Sequence, residues 1–459
     1  MSAGCGKPSA PAPPPAATAV KPGVTTQVTP ATFERALAAA RPGDTLVLAD
    51  GEYAASLAQV RTVAVDSSAP GGYGRVAVMR SGGFTVSCSG APGSPITIRA
   101  GGKGAVIKGT MKLDGLSYVT LDGVRIDGAY MYGIMARSGG HIEIRNCIVS
   151  NVDGDYGMFI DNARTAVIEN NEVYGTRKNG ICVFGDSRDV TVRGNKVHEC
   201  DSCGIYFDAY TNPGKRLSHI LCENNVVSHV GKNGGAAMNV SNVVDSVFRN
   251  NLLYKNEAGG MCFYQAEVSD ASSSGGVPSP DGIVQRVLAF ITSRSANSAR
   301  DTIVSNTVYF EPGHGRWCLR MPDRAPDFFV HNNVFVGGKN GVVSVHPKAF
   351  NGLSMDDNLI SSHKGQQLFG ESYTADTTET FTYTLDQWNA KGLDRRSKIG
   401  VEALFVSIPQ DDYHLSAKSP AIDAGSDLGD KCPTDLDGTK RPQGKGYDCG
   451  AYEYTRPAK

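Results

Sequence analysis

Short runs of alternating apolar and polar residues recur along the chain, and each ends in Asn or an Asn pair. They are IEIRNC (Asn146), AVIENN (Asn170, Asn171), VTVRGN (Asn195), ILCENN (Asn224, Asn225) and SVFRNN (Asn250, Asn251). TIVSNT (Asn306), FFVHNN (Asn332, Asn333) and LSMDDN (Asn358) follow. The step between them is about 24 to 30 residues, with one of about 55 between Asn250 and Ser305. Within each unit a second strand opens on glycine: Gly133, Gly157, Gly180, Gly204, Gly260 and Gly341. Fixed-period units with period-2 alternation and no room for a helix predict β-solenoid coils. Leucine-rich repeats have a similar length but need a leucine consensus that is absent.

The predicted fold is therefore all-β, a single-stranded right-handed parallel β-helix, right-handed winding being the rule for parallel crossovers. Each coil adds about 4.8 Å along the axis and buries alternate side chains. Asparagine at one turn in successive coils can hydrogen-bond along the stack and tolerates left-handed backbone. The asparagines are accordingly read as structural and given no chemistry.

The ends differ from the middle. Residues 1–26 are rich in Pro, Ala and Thr and read as a disordered tether. Ser2-Ala3-Gly4-Cys5 resembles the end of a bacterial lipoprotein signal, with Ser2 where an aliphatic residue is usual. A lipid on Cys5 is the one expected link to a membrane. Thr29 and Pro30 make an N-cap and first turn for ATFERALAAA, a helix expected to plug the N-terminal edge. GDTLVLADGEY (Gly43 to Tyr53) begins the first coil. The β-helix is placed at 27–366 and a C-terminal cap region at 367–459, with a monomer expected.

Composition narrows the function more than the fold. Forty-five basic and 46 acidic residues leave a net charge of −1, which excludes a polyelectrolyte field and makes nucleic acid no partner. No apolar run is long enough to span a membrane as a helix. Cys432 and Cys449 bracket a turn-rich segment that a disulfide can staple. Cys200 and Cys203 form a lone CxxC, read as a local disulfide or inert thiols rather than zinc ligands. With a lipidated Cys5, the compartment would be extracytoplasmic and oxidising.

Counting from the opening glycines assigns Ile134, Met158, Ile181, Ile205 and Met261 to the core. Met135, Phe159, Cys182, Tyr206 and Cys262 then face outward. The next outward column is read as Arg137, Asp161, Phe184, Asp208, Asn239, Tyr264 and Arg320. Charge mixed with aromatics on rigid strands suits an extended polymer, with rings for sugar faces and charges for carboxylates. Two insertions, after Asp208 and after Tyr264, leave at one turn and are expected to wall a cleft over this face.

Asp161 and Asp208 lie two layers apart, about 9.6 Å between backbones, at the edge of the spacing of an inverting glycosidase pair. They are also the candidate ligands for Ca²⁺, with Phe184 intervening. The alternative is an ion-paired surface ladder of Arg137 beside Asp161. Lys178, Lys232, Lys255 and Lys339 recur just before the Gly-opened strands, and Lys178 and Lys232 are nearest the expected cleft as bases. His314, Arg316, Arg320 and Arg324 form a polar set around Trp317, and arginine can grip a uronate carboxylate with two prongs.

GDTLVLADGEY, SPITIRAGGKGAVIKG and the Asn-ended coils resemble right-handed parallel β-helix proteins of the secreted polysaccharide lyase type, acting on pectate, alginate or chondroitin. SPAIDAG and DLDGTKRP resemble the C-terminal part of such proteins. The Glu-rich calcium strand of alginate and chondroitin lyases, the aspartate cluster of pectate lyases and the DPH of alginate epimerases are absent. His314 within GHG is similar to a polygalacturonase motif whose paired aspartates are missing. The resemblance therefore implies fold and substrate class without carrying over a catalytic residue. The expected function is β-elimination on an acidic glycan. Arg137 or Arg320 would neutralise the carboxylate, Lys178, Lys232 or Tyr206 would take the C5 proton, and Asp161 or Asp208 would bind Ca²⁺ or orient the base. Rival readings are an inverting hydrolase or uronan epimerase on the same groove, and a non-catalytic glycan-binding protein.

Overall fold

The computed structural model describes residues 23–54, 60–63, 77–80, 82–209, 215–264, 298–322, 327–371 and 381–456. Cys5, most of the tether, the tips of both insertions and Arg324 lie outside them. Among the described residues, three sheets of 13, 12 and 12 strands run along a solenoid, parallel except where Thr382–Tyr383 ends the third, and successive coils give a strand to each. The first sheet holds strands such as Gly140–Arg145 and Arg164–Glu169, the second Ile148–Val152 and Glu172–Thr176, the third Tyr132–Arg137 and Tyr156–Asp161. One apolar core fills the interior, with Ile134, Met158, Ile181, Ile205, Met238 and Met261 in register along the third sheet.

Valine explains the recurrent glycines. A Cβ added at Gly133, Gly157, Gly180, Gly204 or Gly260 would stand 2.3–2.7 Å from a methyl of Val149, Val173, Val197, Val227 or Val308. The second sheet thus crowds the start of each third-sheet strand, and the smallest residue fits. Ala237 and Cys318 take the same place in the two coils on either side of Gly260, since Met238, Met261 and Leu319 pair.

The asparagine pairs divide their work. The first member has left-handed backbone, φ 52–57° at Asn146, Asn170, Asn224, Asn250 and Asn332. The second is buried and forms a ladder: Asn171, Asn195, Asn225, Asn251, Asn306, Asn333 and Asn358. Each Oδ1 accepts from the backbone N–H and Nδ2 of the asparagine one coil earlier, at 2.9–3.1 Å, from Asn195 through Asn358. Cys147, not Asn146, occupies the ladder place in the first of these coils, its N–H donating to Asn171. The 55-residue step is a single coil, because Asn251 bonds directly to Asn306.

At the N-terminal end a 3₁₀ turn (Pro30–Thr32) leads into helix Phe33–Ala39, whose Phe33 and Leu37 plug the core. The Thr29 N–H donates to Thr32 Oγ1 at 3.0 Å. At the far end, Trp388 of helix Leu385–Ala390 stacks on Phe369 at 4.4 Å and closes the core. The remaining chain runs back along the outside: Tyr413, Leu415, Ala421, Cys449 and Ala451 pack on Leu252, Tyr309, Val334, Val336 and Leu359 of the second sheet. Arg441 and Glu453 form a fully buried ion pair at 2.9 Å there. The expected staple is not formed. Cys432 and Cys449 are separate thiols, donating to Asn250 Oδ1 and the Asp357 carbonyl. Cys200 and Cys203 are also separate buried thiols, and burial pushes Cys200 up to about 12. No described helix is long and apolar enough to cross a membrane.

Candidate active site on the third sheet

Strand register places the predicted residues in two outward columns. One runs Met135, Phe159, Cys182, Tyr206, Asn239, Cys262, Arg320 and Ser344. The other runs Arg137, Asp161, Phe184, Asp208, Ser241 and Tyr264. Asn239 and Arg320 therefore stand one column away from the place the sequence count gave them. In the Asn239 coil Ala237, not a glycine, holds the crowded position.

The first part of this surface is not open. Met135, Phe159, Cys182 and Phe184 are buried in a small apolar cluster outside the sheet, joined by Tyr132, Tyr156 and Tyr206. The Phe184 ring is held edge-on against Tyr156, Phe159 and Tyr206 at 5.0–5.5 Å. It supports its neighbours and offers no face to a sugar, contrary to expectation.

Beside this aromatic floor, four predicted residues meet. The Tyr206 hydroxyl donates to Asp208 Oδ2 at 2.8 Å and lies 3.1 Å from the Tyr264 hydroxyl. Asn239 Nδ2 donates to Tyr264 Oη at 3.3 Å, so the two columns converge. Burial raises both phenols above their ordinary value, and Tyr264 and Asp208 reinforce this at Tyr206. A buried phenol beside a carboxylate keeps its proton. Tyr206 is therefore a donor, not a ready base.

Asp161 and Asp208 lie two layers apart in register, with Phe184 between. Asp161 Oδ1 is buried with no hydrogen-bond partner among the described residues. It sits beneath Gly185, where a Cβ would come within 2.4 Å of it. Burial raises the Asp161 carboxyl, opposed by Asn162, Arg137 and Lys215. Lys215, within the first insertion, was not singled out from sequence, and its charge acts on this site. Arg137 gives its guanidinium to Asp114, at 3.0 and 2.7 Å, rather than to Asp161. The alternative reading, an Arg137–Asp161 ladder, is replaced by that pair.

The other candidates lie elsewhere. Lys178 is exposed and pairs with Asp155, at the upstream end of strand Asn179–Phe184. At about 3.3 Å per residue, Lys178 is roughly 20 Å from the Asp208 end of the sheet. Lys232 and Arg316 are exposed at the same upstream edge, where the Arg316 N–H donates to the Ala258 carbonyl. His314 Nδ1 lies 3.3 Å from Glu257. The structure thus separates these four from the Tyr206–Asp208 cluster. Among the described residues no group of three or more His, Cys, Asp or Glu side chains is placed to hold a metal ion. Asp161 and Asp208, the expected calcium ligands, are separated by Phe184. A separate cavity of about 550 Å³ beside Tyr309, His363, Glu402 and Phe405 contains none of the predicted residues.

Residues 104–272 match a family described as "Right handed beta helix region", and the chain is a right-handed parallel β-helix. By structure it is similar to pectate lyase Pel9A, with 15% identity, a TM-score of 0.56, and coverage of 94% of this chain and 96% of that one. The periplasmic alginate epimerase AlgG gives 11% identity and a TM-score of 0.41, covering 73% of this chain and 61% of that one. A mannuronic acid specific polysaccharide family 6 lyase from human gut microbiota gives 14% and 0.40, covering 77% and 92%. A search of curated proteins finds no match. Identity of this order speaks to the fold alone.

Proposed function

We propose that the protein is an extracytoplasmic enzyme that cleaves an acidic, uronate-containing polysaccharide by β-elimination on the outer surface of the third sheet. The observation that carries the reading is the Tyr206–Asp208–Tyr264–Asn239 cluster, a carboxylate and a proton-holding phenol side by side on rigid strands. Elimination needs a base for the C5 proton and an acid for the departing O4. Asp208 takes the proton as the C5–H bond breaks, the C4–C5 double bond forms, and the C4–O bond breaks. Tyr206 donates its proton to that oxygen and regains one from Asp208 across their 2.8 Å hydrogen bond. Arg320, in the Tyr206 column, supplies positive charge for the uronate carboxylate. The fold neighbour named a pectate lyase is in keeping with such a substrate. Lys178 and Lys232, at the far edge, take no part, and no step passes through calcium.

A second reading rests on Asp161. A carboxyl raised by burial is suited to act as general acid, and Asp208 two layers away would then be the base of an inverting hydrolase. Absorbance in the near ultraviolet against pectate, alginate, chondroitin and glucuronan, with calcium and with chelator, separates the readings. A rise on one substrate, abolished in Asp208→Asn, is expected. New reducing ends without absorbance would replace elimination by hydrolysis. Binding without either product would make the surface a glycan-binding site. A rise lost in chelator would require a metal the proposal leaves out.

A further inference from the structure

On the outer surface of the first sheet, far along the solenoid, three side chains stand in an order the function above does not use. His331 ends strand Phe329–His331, and Ser354 begins the neighbouring strand Ser354–Asp356. His331 Nε2 lies 2.9 Å from Ser354 Oγ, and His331 Nδ1 lies 3.3 Å from Asp357 Oδ2. Ser354 is exposed, whereas His331 and Asp357 are buried. The imidazole is stacked on Phe329 at 3.9 Å, which fixes its plane. Arg396 grips both oxygens of Asp357 at 2.8 and 2.7 Å, and its guanidinium also lies 3.2 Å from Asp356. A hydroxyl open to solvent, an oriented imidazole and a buried carboxylate are the parts of a nucleophilic centre, recognised by geometry rather than by chain order.

We propose that Ser354, His331 and Asp357 form a second active centre, independent of the third sheet, that hydrolyses short-chain carboxylic esters. The serine sits at an open surface beside Asn351 and Gly352, so the ester is one displayed on a larger molecule. Ser354 Oγ attacks the carbonyl carbon while its proton passes to His331 Nε2. The alcohol leaves with that proton, and an acyl–Oγ ester remains. Water then attacks this ester, giving its proton to His331, which returns it to Ser354 as the acid departs. Asp357 is a positioning residue that holds His331 Nδ1. Burial holds His331 below its ordinary value, so the ring is neutral and able to accept a proton at neutral pH. The Arg396 hydrogen bonds hold Asp357 below the usual carboxylate range, so it stays anionic. Lys431, 5.6 Å from the Phe329 ring centroid, brings a cation to the same face for the developing oxyanion.

The test uses the full chain with a fluorophosphonate probe and with p-nitrophenyl acetate. Labelling confined to Ser354, and ester hydrolysis falling by about 10³-fold in Ser354→Ala, are expected. Ser354→Ala removes an exposed hydroxyl together with its bond to His331, and an unchanged melting temperature shows that the variant folds. Asp357→Asn should lower the rate and move the acid limb of the pH profile to lower pH, because the carboxylate favours the charged imidazole. A purely structural cluster would leave that profile unmoved. Equal labelling and hydrolysis in the parent and Ser354→Ala would overturn the proposal. Asp208→Asn, expected to lower polysaccharide cleavage, should leave ester hydrolysis unchanged.

Discussion

The asparagine ladder and the Tyr206–Asp208 cluster are made in the same way and used in opposite ones. Both are columns, in which a parallel register repeats one position every coil. In the ladder each amide finds the next amide above or below it, so buried polar atoms are satisfied. On the third sheet the column changes character at each step, from arginine to aspartate to phenylalanine to aspartate. Identical neighbours can saturate one another. Unlike neighbours leave charge and hydrogen-bonding capacity over, as at Asp161 Oδ1. The contrast locates stability in the repeated column and chemistry in the varied one.

Breaking the ladder should have the largest effect. Asn225→Ala leaves the Asn195 N–H, the Asn195 side-chain amide and the Val192 carbonyl without their partner. Three buried hydrogen bonds lost at once should cost about 4 kcal/mol, read by chemical denaturation. The rate per folded molecule should stay unchanged. A ladder variant that folds normally but turns over slowly would erase the division.

Asp208→Asn is the mirror experiment. It should lower turnover by about 10²- to 10⁴-fold, the scale of a lost acid–base group, with the melting temperature held within a few degrees. Residual activity near the parent level would remove Asp208 from the site while leaving the fold intact.

Much of this division was legible beforehand. Alternation around the opening glycines placed Ile134 through Ile205 inside and Tyr206 outside, because a parallel register with period 2 admits one solution once a core face is chosen. The error at Asn239 has a definite cause. Elsewhere glycine marks the crowded position, but in this coil Ala237 fills it, so no opening glycine fixes the count for Asn239. The burial of Phe184 was hidden for another reason. An outward-pointing ring exposed on its own strand is covered by Tyr156 and Phe159 of the preceding coil and Tyr206 of the next, a contact among residues far apart in sequence. Lys178 and Lys232 looked close because they precede the right strands, but a strand's two ends are far apart in space.

Tyr264→Phe should sharpen the comparison on a smaller scale. It removes one hydroxyl that lies 3.1 Å from Tyr206 and accepts from Asn239. Tyr206 keeps its bond to Asp208, so turnover should drop by about tenfold, not vanish. Steady-state kinetics should place the loss in kcat. A change confined to KM would make Tyr264 a substrate contact instead.

The smallest effect tests the satisfied side of the comparison at the far end of the ladder. Asp394 is buried and accepts from Trp388 Nε1, Ser397 and Asn358, so it continues the ladder beyond its last asparagine. Burial raises its carboxyl to about 6 despite those hydrogen bonds. A carboxyl raised in the folded state favours folding in its protonated form. That contribution is complete below its ordinary value near 3.8 and is lost as pH rises through about 6. The melting temperature should therefore fall by a few degrees between pH 4 and pH 7 from this group. Asp394→Asn should flatten that part of the profile, while lowering stability at every pH because its amide cannot satisfy both Trp388 and Asn358. An unchanged slope in the variant would assign the pH dependence to Asp448, whose carboxyl burial also raises to about 6.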